Sequence, residues 1–244
     1  MKAYIQERSI HDRLNVNCYV ACEGFRYMGF EIVHFRDLDE IQTLDQDAVV
    51  VAGIGVVHQA LKRHGIEPPL PLDYPESLRS FMKRDLQTST INHIASTPSE
   101  WGQFVKPKGI AKKFTGRVVK GTNDLVGCGD RDLDVPVWVS PALDIVAEWR
   151  CFVRYNQILG VKMYRGDWRQ KFDPRIVESI PKQYENAPKG YAFDVGVTAS
   201  GETVLIEVND GFSLGYYGLF YLDYAKLLAA RWAELNGTID YCNF

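Results

Sequence analysis

The stretch YAFDVGVTASGETVLIEVND, residues 191–210, sets the fold class for the rest of the chain. Apolar residues alternate with others on both sides of a Ser200-Gly201 turn signal, the pattern of a β-hairpin. A turn centred there pairs Asp194 directly with Glu207 and puts Asn209 two residues on, along the same face. Side chains opposed in this way have Cβ atoms about 4.5–5.5 Å apart, and like charges there destabilise the pair. A divalent cation would offset that repulsion. Two carboxylates and an amide are hard oxygen donors suited to magnesium, which usually keeps waters and takes its other ligands from phosphates. The absence of histidine and cysteine from the hairpin argues against zinc or copper. The competing reading is a solvated face on which two acids meet. The apolar flanks, YAF before and VLI between, weigh against it.

Upstream, short β-type runs lead into the hairpin: GQFVKP, FTGRVVKG, VPVWVSP, EWRCFVRY and ILGVKMYR. Gly, Asn and Asp separate them, which predicts largely antiparallel sheet. Before about Trp101 the texture differs. KAYIQE, FEIVHF and DAVVVAG read as strands, the last buried on both faces. They alternate with a helix over VNCYVACEGFRYMG, ending at Gly29, and another from Val56 to His64, stopped by Gly65. This α/β unit runs to the proline-rich GIEPPLPLDYP, so the domains are expected at 1–75 and 76–244, with SLRSFMKRDL as a connecting helix. A last helix spans LFYLDYAKLLAARWAELNG, with Leu222, Ala225, Ala229 and Trp232 on one face and Gly237 at its C-cap.

At 244 residues and 46% hydrophobic, the chain can bury a core without covalent staples. A net charge of −3 gives no basic excess for nucleic acid or an anionic membrane. The cysteines are odd in number and scattered, MKAYIQERSIHDRLN has no signal-peptide core, and no apolar run approaches a membrane span. A reducing, cytoplasmic setting with thiols follows. Cys18 and Cys22 lie one helical turn apart without a second ligand pair, so they read as buried helix thiols. Gly53-Ile54-Gly55 after a strand lacks the third glycine of a dinucleotide fingerprint and reads as a strand-to-helix turn.

Magnesium with few protein ligands asks for a polyphosphate, and FVKPKGIAKKFTG holds cations for one. Lys106 ends an apolar strand, and a loop with Gly109, Lys112 and Lys113 follows. In order, the strand-end lysine, the lysine-bearing glycine loop, VWVSP, EWRCFV and DVGVTASGETVLIEVND resemble the ATP-grasp superfamily. More narrowly, they are similar to the clade named for one arginine and two lysines. The resemblance covers roughly Trp101 to Leu219. It implies a mixed α/β (α+β) fold: a small N-terminal pre-grasp domain, then two α+β subdomains with mainly antiparallel sheets.

The resemblance also implies roles. Lys106 would reach the α- or β-phosphate of ATP. Lys112 would close over the nucleotide in a flexible loop, with Lys113 able to substitute. The hinge Val137–Ser140, through Trp138 and Val139, would hold adenine by its backbone, and Glu148 would contact the ribose. Arg150 would sit near the transferring phosphate or a substrate carboxylate, its competing role being a salt bridge with Glu148. Asp194, Glu207 and Asn209 would bind magnesium. KPKGIAKK is more basic than the glycine/serine loops of better-known relatives. Lys162 and Arg165 are further candidates for phosphate or substrate contact. Ser213, Tyr216 and Tyr217 are candidates for an acceptor pocket, and Tyr221 for packing under the last helix. The implied activity is a ligase that phosphorylates a carboxylate and passes the acyl phosphate to an amine or similar nucleophile, on a peptide, protein or amino acid. A kinase that stops at phosphoryl transfer and a non-catalytic nucleotide-binding domain stay open, as does the oligomeric state, a dimer included.

Overall fold

The computed structural model describes residues 1–7, 15–109, 113–129 and 133–244. The chain begins with β1 (Lys2–Gln6), α1 (Val16–Tyr27), β2 (Glu31–Phe35), β3 (Val49–Val51) and α2 (Ile54–Arg63). The strands form a parallel sheet in the order β2-β1-β3. The Asn15 side chain caps α1 by accepting from the Cys18 N–H at 2.8 Å, and Gly29 takes the left-handed turn after it at φ 81°. All five cysteines are buried and none is in a disulfide.

The proline-rich stretch docks onto the second strand of the 191–210 hairpin. Its Asp73 carbonyl accepts from the Val208 N–H at 2.9 Å. The expected connecting helix is a single turn, α3 (Arg79–Met82), ended by Lys83 at φ 53°. Next come β4 (Gln87–Thr90), α4 (Ile91–Ser96), β5 (Gln103–Pro107), β6 (Arg117–Val118) and β7 (Pro136–Pro141). They make an antiparallel sheet in the order β4-β7-β5-β6, in which FTGRVVKG contributes only the two residues of β6.

The rest of the chain is β8 (Ile145–Arg154), β9 (Gln157–Gly166), α5 (Pro174–Gln183), β10 (Gly190–Thr198), β11 (Thr203–Asp210) and α6 (Tyr221–Asn236). The sheet order is β11-β10-β8-β9, all antiparallel. Helix α5 was not expected from the sequence, since Pro181 falls inside its last turn. The architecture is thus the mixed one anticipated: a parallel N-terminal unit, then two mainly antiparallel sheets. No helix among the described residues is long and apolar enough to cross a membrane.

One face of the third sheet packs Trp149, Cys151, Phe193 and Val195 against Val177 and Ile180 of α5 and Met82 of α3. The other face is divided. Phe152 and Ala192 lie under α6, in an apolar cluster that also takes in Phe25 of α1 and Ile5 of β1. Helix α6 therefore serves two sheets at once. Its approach to α1 depends on Gly24, where a Cβ would stand 2.5 Å from the Tyr221 carbonyl oxygen and 2.6 Å from the Ala225 Cβ. Beyond Ala192 the helix no longer covers the sheet, and polar residues take over.

Gly24→Ala therefore tests that contact. Helix propensity alone favours alanine, but the clash is expected to lower unfolding free energy by about 1–3 kcal/mol. Urea denaturation reads this directly, and a neutral or stabilised variant would contradict the close packing of α1 on α6.

Candidate active site

Asp194 does face Glu207, but by a different route from the one expected. The turn centres on Ser200 instead of between Ser200 and Gly201, with Thr198 N–H bonded to the Glu202 carbonyl at 2.9 Å and Gly201 left-handed at φ 84°. The pairs beside it are Val197 with Thr203 and Val195 with Leu205. Continued unbroken, that register would set Asp194 against Ile206. A bulge between Val195 and Asp194 skips Ile206 and brings Glu207 opposite Asp194. Arg84 supports the bulge from outside the sheet, donating to the Leu205 and Ile206 carbonyls at 2.9 and 2.7 Å.

The same row continues across the sheet. Asp194 opposes Arg150 on β8, and Arg150 opposes Lys162 on β9. From β11 to β9 one face thus reads Glu207, Asp194, Arg150, Lys162: two acids, then two bases. Arg150 grips Asp194 with both arms, Nε to Oδ1 at 2.8 Å and Nη2 to Oδ2 at 2.7 Å. Both are buried, at 7% and 2% exposure. Glu148 does not pair with Arg150. It takes a hydrogen bond from the Tyr164 hydroxyl at 2.7 Å and an ion pair from Arg165. Burial, then the charges of Asp194 and Glu148, push the Tyr164 phenol far above its ordinary pKa, so it stays a donor.

Lys106 comes to this row from β5 in the second sheet. Its Nζ lies 2.7 Å from both Glu207 Oε2 and Asp73 Oδ1. Burial opposes its charge, but Glu207, Tyr74 and Asp73 outweigh burial and hold the ammonium above its ordinary pKa. For Glu207, burial opposes ionisation and Lys106 and Asn209 overcome it, so the carboxyl falls below its usual range. For Asp194, burial wins over Arg150, and the carboxyl is raised.

The donor set fits magnesium. The Asn209 amide nitrogen reaches Glu207 Oε1 at 3.2 Å and Asp194 Oδ2 at 3.5 Å, so the three side chains already converge. A half-turn of the amide exchanges its nitrogen for an oxygen. Among the described residues no three His, Cys, Asp or Glu side chains form a complete cage. A magnesium that keeps waters and phosphate oxygens needs none.

The other expected residues fall as follows. Val137–Ser140 lies inside β7, paired with β4 on one side and β5 on the other, and the change of sheet follows directly, at residues 142–144. Val139 is buried in the core, while Trp138 donates from Nε1 to Asp73 Oδ2 at 3.3 Å and lies under Lys108, 4.5 Å from its ring centre. Gly109 is left-handed at φ 67°. Lys112 lies outside the described residues, and its neighbour Lys113, which is described, is exposed. Ser213 is turned away, its hydroxyl donating to the Ala52 carbonyl at 3.0 Å, and Tyr216 packs on Tyr224. Tyr217 does reach the row, its ring 4.4 Å from the Arg150 guanidinium. Tyr221 stacks edge-on with Tyr27.

Asp73, Tyr74, Arg84 and Tyr164 belong to the site and were not anticipated. Alternation counted from Lys162 would have found Tyr164. Nothing local marks Asp73 within a proline-rich stretch.

Comparison with known proteins gives a consistent picture. Residues 81–227 match the family model described as ATP-grasp domain, R2K clade family 2. No curated protein sequence matches. Among solved structures, a RimK domain protein ATP-grasp from Sphaerobacter thermophilus is similar at 15% identity and TM-score 0.58, over 93% of this chain and 99% of that one. A D-alanine–D-alanine ligase from Bacillus anthracis is similar at 13% identity and TM-score 0.56, over 97% and 99%. The macrocyclase MdnC from Microcystis aeruginosa, bound with its precursor peptide MdnA, is similar at 16% and 0.53, over 93% and 99%. At these identities the likeness is one of fold.

The Arg150–Asp194 fork can be tested without any ligand. Arg150→Met leaves a buried carboxylate unpaired and is expected to cost about 3–5 kcal/mol of stability, most of it regained when Asp194→Leu is added. Denaturant melts of the two variants check this, and a single-variant loss below about 1 kcal/mol would refute the buried pair.

Proposed function

The chain belongs to the ATP-grasp domains of the R2K clade, and from that premise we propose that it is an ATP- and magnesium-dependent ligase joining a carboxylate to an amine or similar nucleophile. One observation carries the reading. Glu207, Asp194, Arg150 and Lys162 share one sheet face, and Lys106 is delivered onto it from a second sheet. These are the charges that phosphoryl transfer needs, gathered without a serine or cysteine nucleophile.

In this reading Asp194, Glu207 and Asn209 hold magnesium. When bound, the ion neutralises and orients the β- and γ-phosphates. Lys106 exchanges its carboxylate partners for phosphate oxygens, and Lys112 or Lys113 closes the loop begun at Gly109. Trp138 and the chain leaving β7 border the adenine, and Glu148, fixed by Tyr164 and Arg165, takes the ribose. Arg150 stabilises charge on the phosphoryl group in flight. A substrate carboxylate oxygen attacks the γ-phosphorus and ADP leaves. The acceptor amine then attacks the carbonyl carbon of the acyl phosphate, releasing phosphate and a proton. The Tyr217 ring over Arg150 keeps water from an intermediate that hydrolyses readily. Peptides, proteins or amino acids are the carboxylates we assign to it.

Hydroxylamine can stand in for the acceptor. With ATP, magnesium and a panel of amino acids and peptides, hydroxamate is expected from at least one carboxylate. Glu207→Ala is expected to reduce the rate on the order of a hundredfold. A phosphorylated product that survives hydroxylamine would identify a kinase instead.

A further inference from the structure

The logic that applies to the acidic end of the row applies with reversed sign to the other end. Arg150 and Lys162 are opposed across β8 and β9, and like charges in that position destabilise the pair. Arg150 is compensated by Asp194, along its Nε–Nη2 edge only. Its Nη1 makes no hydrogen bond among the described residues, and Lys162 makes neither hydrogen bond nor ion pair there. Every other charged group of the row has a partner of opposite sign.

An edge-strand lysine often only guards the edge against pairing with another strand. Lys162 is placed differently. It is half-buried, and its stem lies over Gly160, with Cε 3.9 Å from where a Cβ on that glycine would stand. The same point is 2.9 Å from Leu219, just past Tyr217, so the stem follows the sheet beneath the Tyr217 loop. Tyr217 itself is held at φ 43°, an unfavourable conformation for a bulky residue, in a turn closed by Leu219 N–H to the Tyr216 carbonyl at 2.8 Å. That turn sets its ring over Arg150 and against Tyr164, at 5.2 Å.

We propose that Lys162, the outer edge of Arg150 and the Tyr217 ring form the subsite for the carboxylate to be activated, on the side of Arg150 away from the metal ligands. The inference rests on the ligase reading of the same site. The strand order then sets out the reaction in space: metal and phosphates over β11 and β10, the arginine on β8, the substrate carboxylate toward β9. Arg150 lies between the two reacting anions and faces both.

Binding tests this independently of turnover. Reductive methylation with 13C-formaldehyde labels lysines while keeping their charge, and the signal missing from K162R identifies Lys162. Acetate titrated into the full chain is expected to shift that signal saturably, equally well with magnesium and a non-hydrolysable ATP analogue already bound. No saturable shift with acetate overturns the proposal. So does a shift produced by the analogue alone that acetate cannot add to, since Lys162 would then contact the nucleotide's phosphates. K162M should keep its affinity for the analogue. In the hydroxylamine assay it should raise the carboxylate concentration for half-maximal rate at least about tenfold, with partial recovery in K162R. An acetate shift without any hydroxamate would uphold the anion subsite and count against the ligase reading instead.

Discussion

Charge that cannot reach water governs this molecule. A β-sheet face that carries Glu207, Asp194, Arg150 and Lys162 in one row cannot be left to solvent screening, because Asp194 and Arg150 are almost wholly buried. Buried charges are costly unless paired and hydrogen-bonded. The fold answers with a bidentate arginine from the neighbouring strand and a lysine from another sheet. Each is a partner that a phosphate or a metal can replace. In the function proposed above, the cations that hold the site together are thus the ones a nucleotide would engage, and the same residues would serve stability and binding.

The position of the site follows from a division of labour on one sheet. Helix α6 covers Phe152 and Ala192 and stops, and two residues further along β8 and β10 the face becomes Arg150 and Asp194. The bulge at Ile206 is what aligns β11 with this boundary. Bulges leave main-chain groups without ladder partners, and the Arg84 guanidinium supplies them for Leu205 and Ile206. The segment just after α3 thereby supports β11 from outside the sheet.

Much of this was legible in the sequence, for definite reasons. Alternation identified the hairpin because one face of β10, Tyr191, Phe193, Val195 and Val197, is apolar throughout, and opposed acids were visible because pairing has a period of two. The agreement over Asp194 and Glu207 nevertheless came from two deviations that cancel, a turn centre moved to Ser200 that offsets the register by one residue and a bulge that restores it. Neither leaves a mark in hydrophobic patterning. That VWVSP is a central strand leading into the change of sheet was hidden, because a short apolar run does not distinguish a central strand from a connector. Asp73 and Tyr74 act through long-range contacts to Val208, Lys106 and Trp138, which no local pattern encodes. Ser213 and Tyr216 were grouped with Tyr217 by composition, yet only the ring thrown outward by a strained turn meets Arg150.

The sharing of α6 between two sheets has a consequence for how the protein comes to be made. During synthesis α1 and the parallel strands, complete by Val51, leave the ribosome long before α6, which begins at Tyr221 and completes their core. Phe25 and its neighbours must therefore wait, exposed, while the antiparallel sheets assemble. Vectorial folding from the first domain onward, the usual economy of multidomain chains, is closed to this one, and holding chaperones would have their natural target at its amino-terminal end.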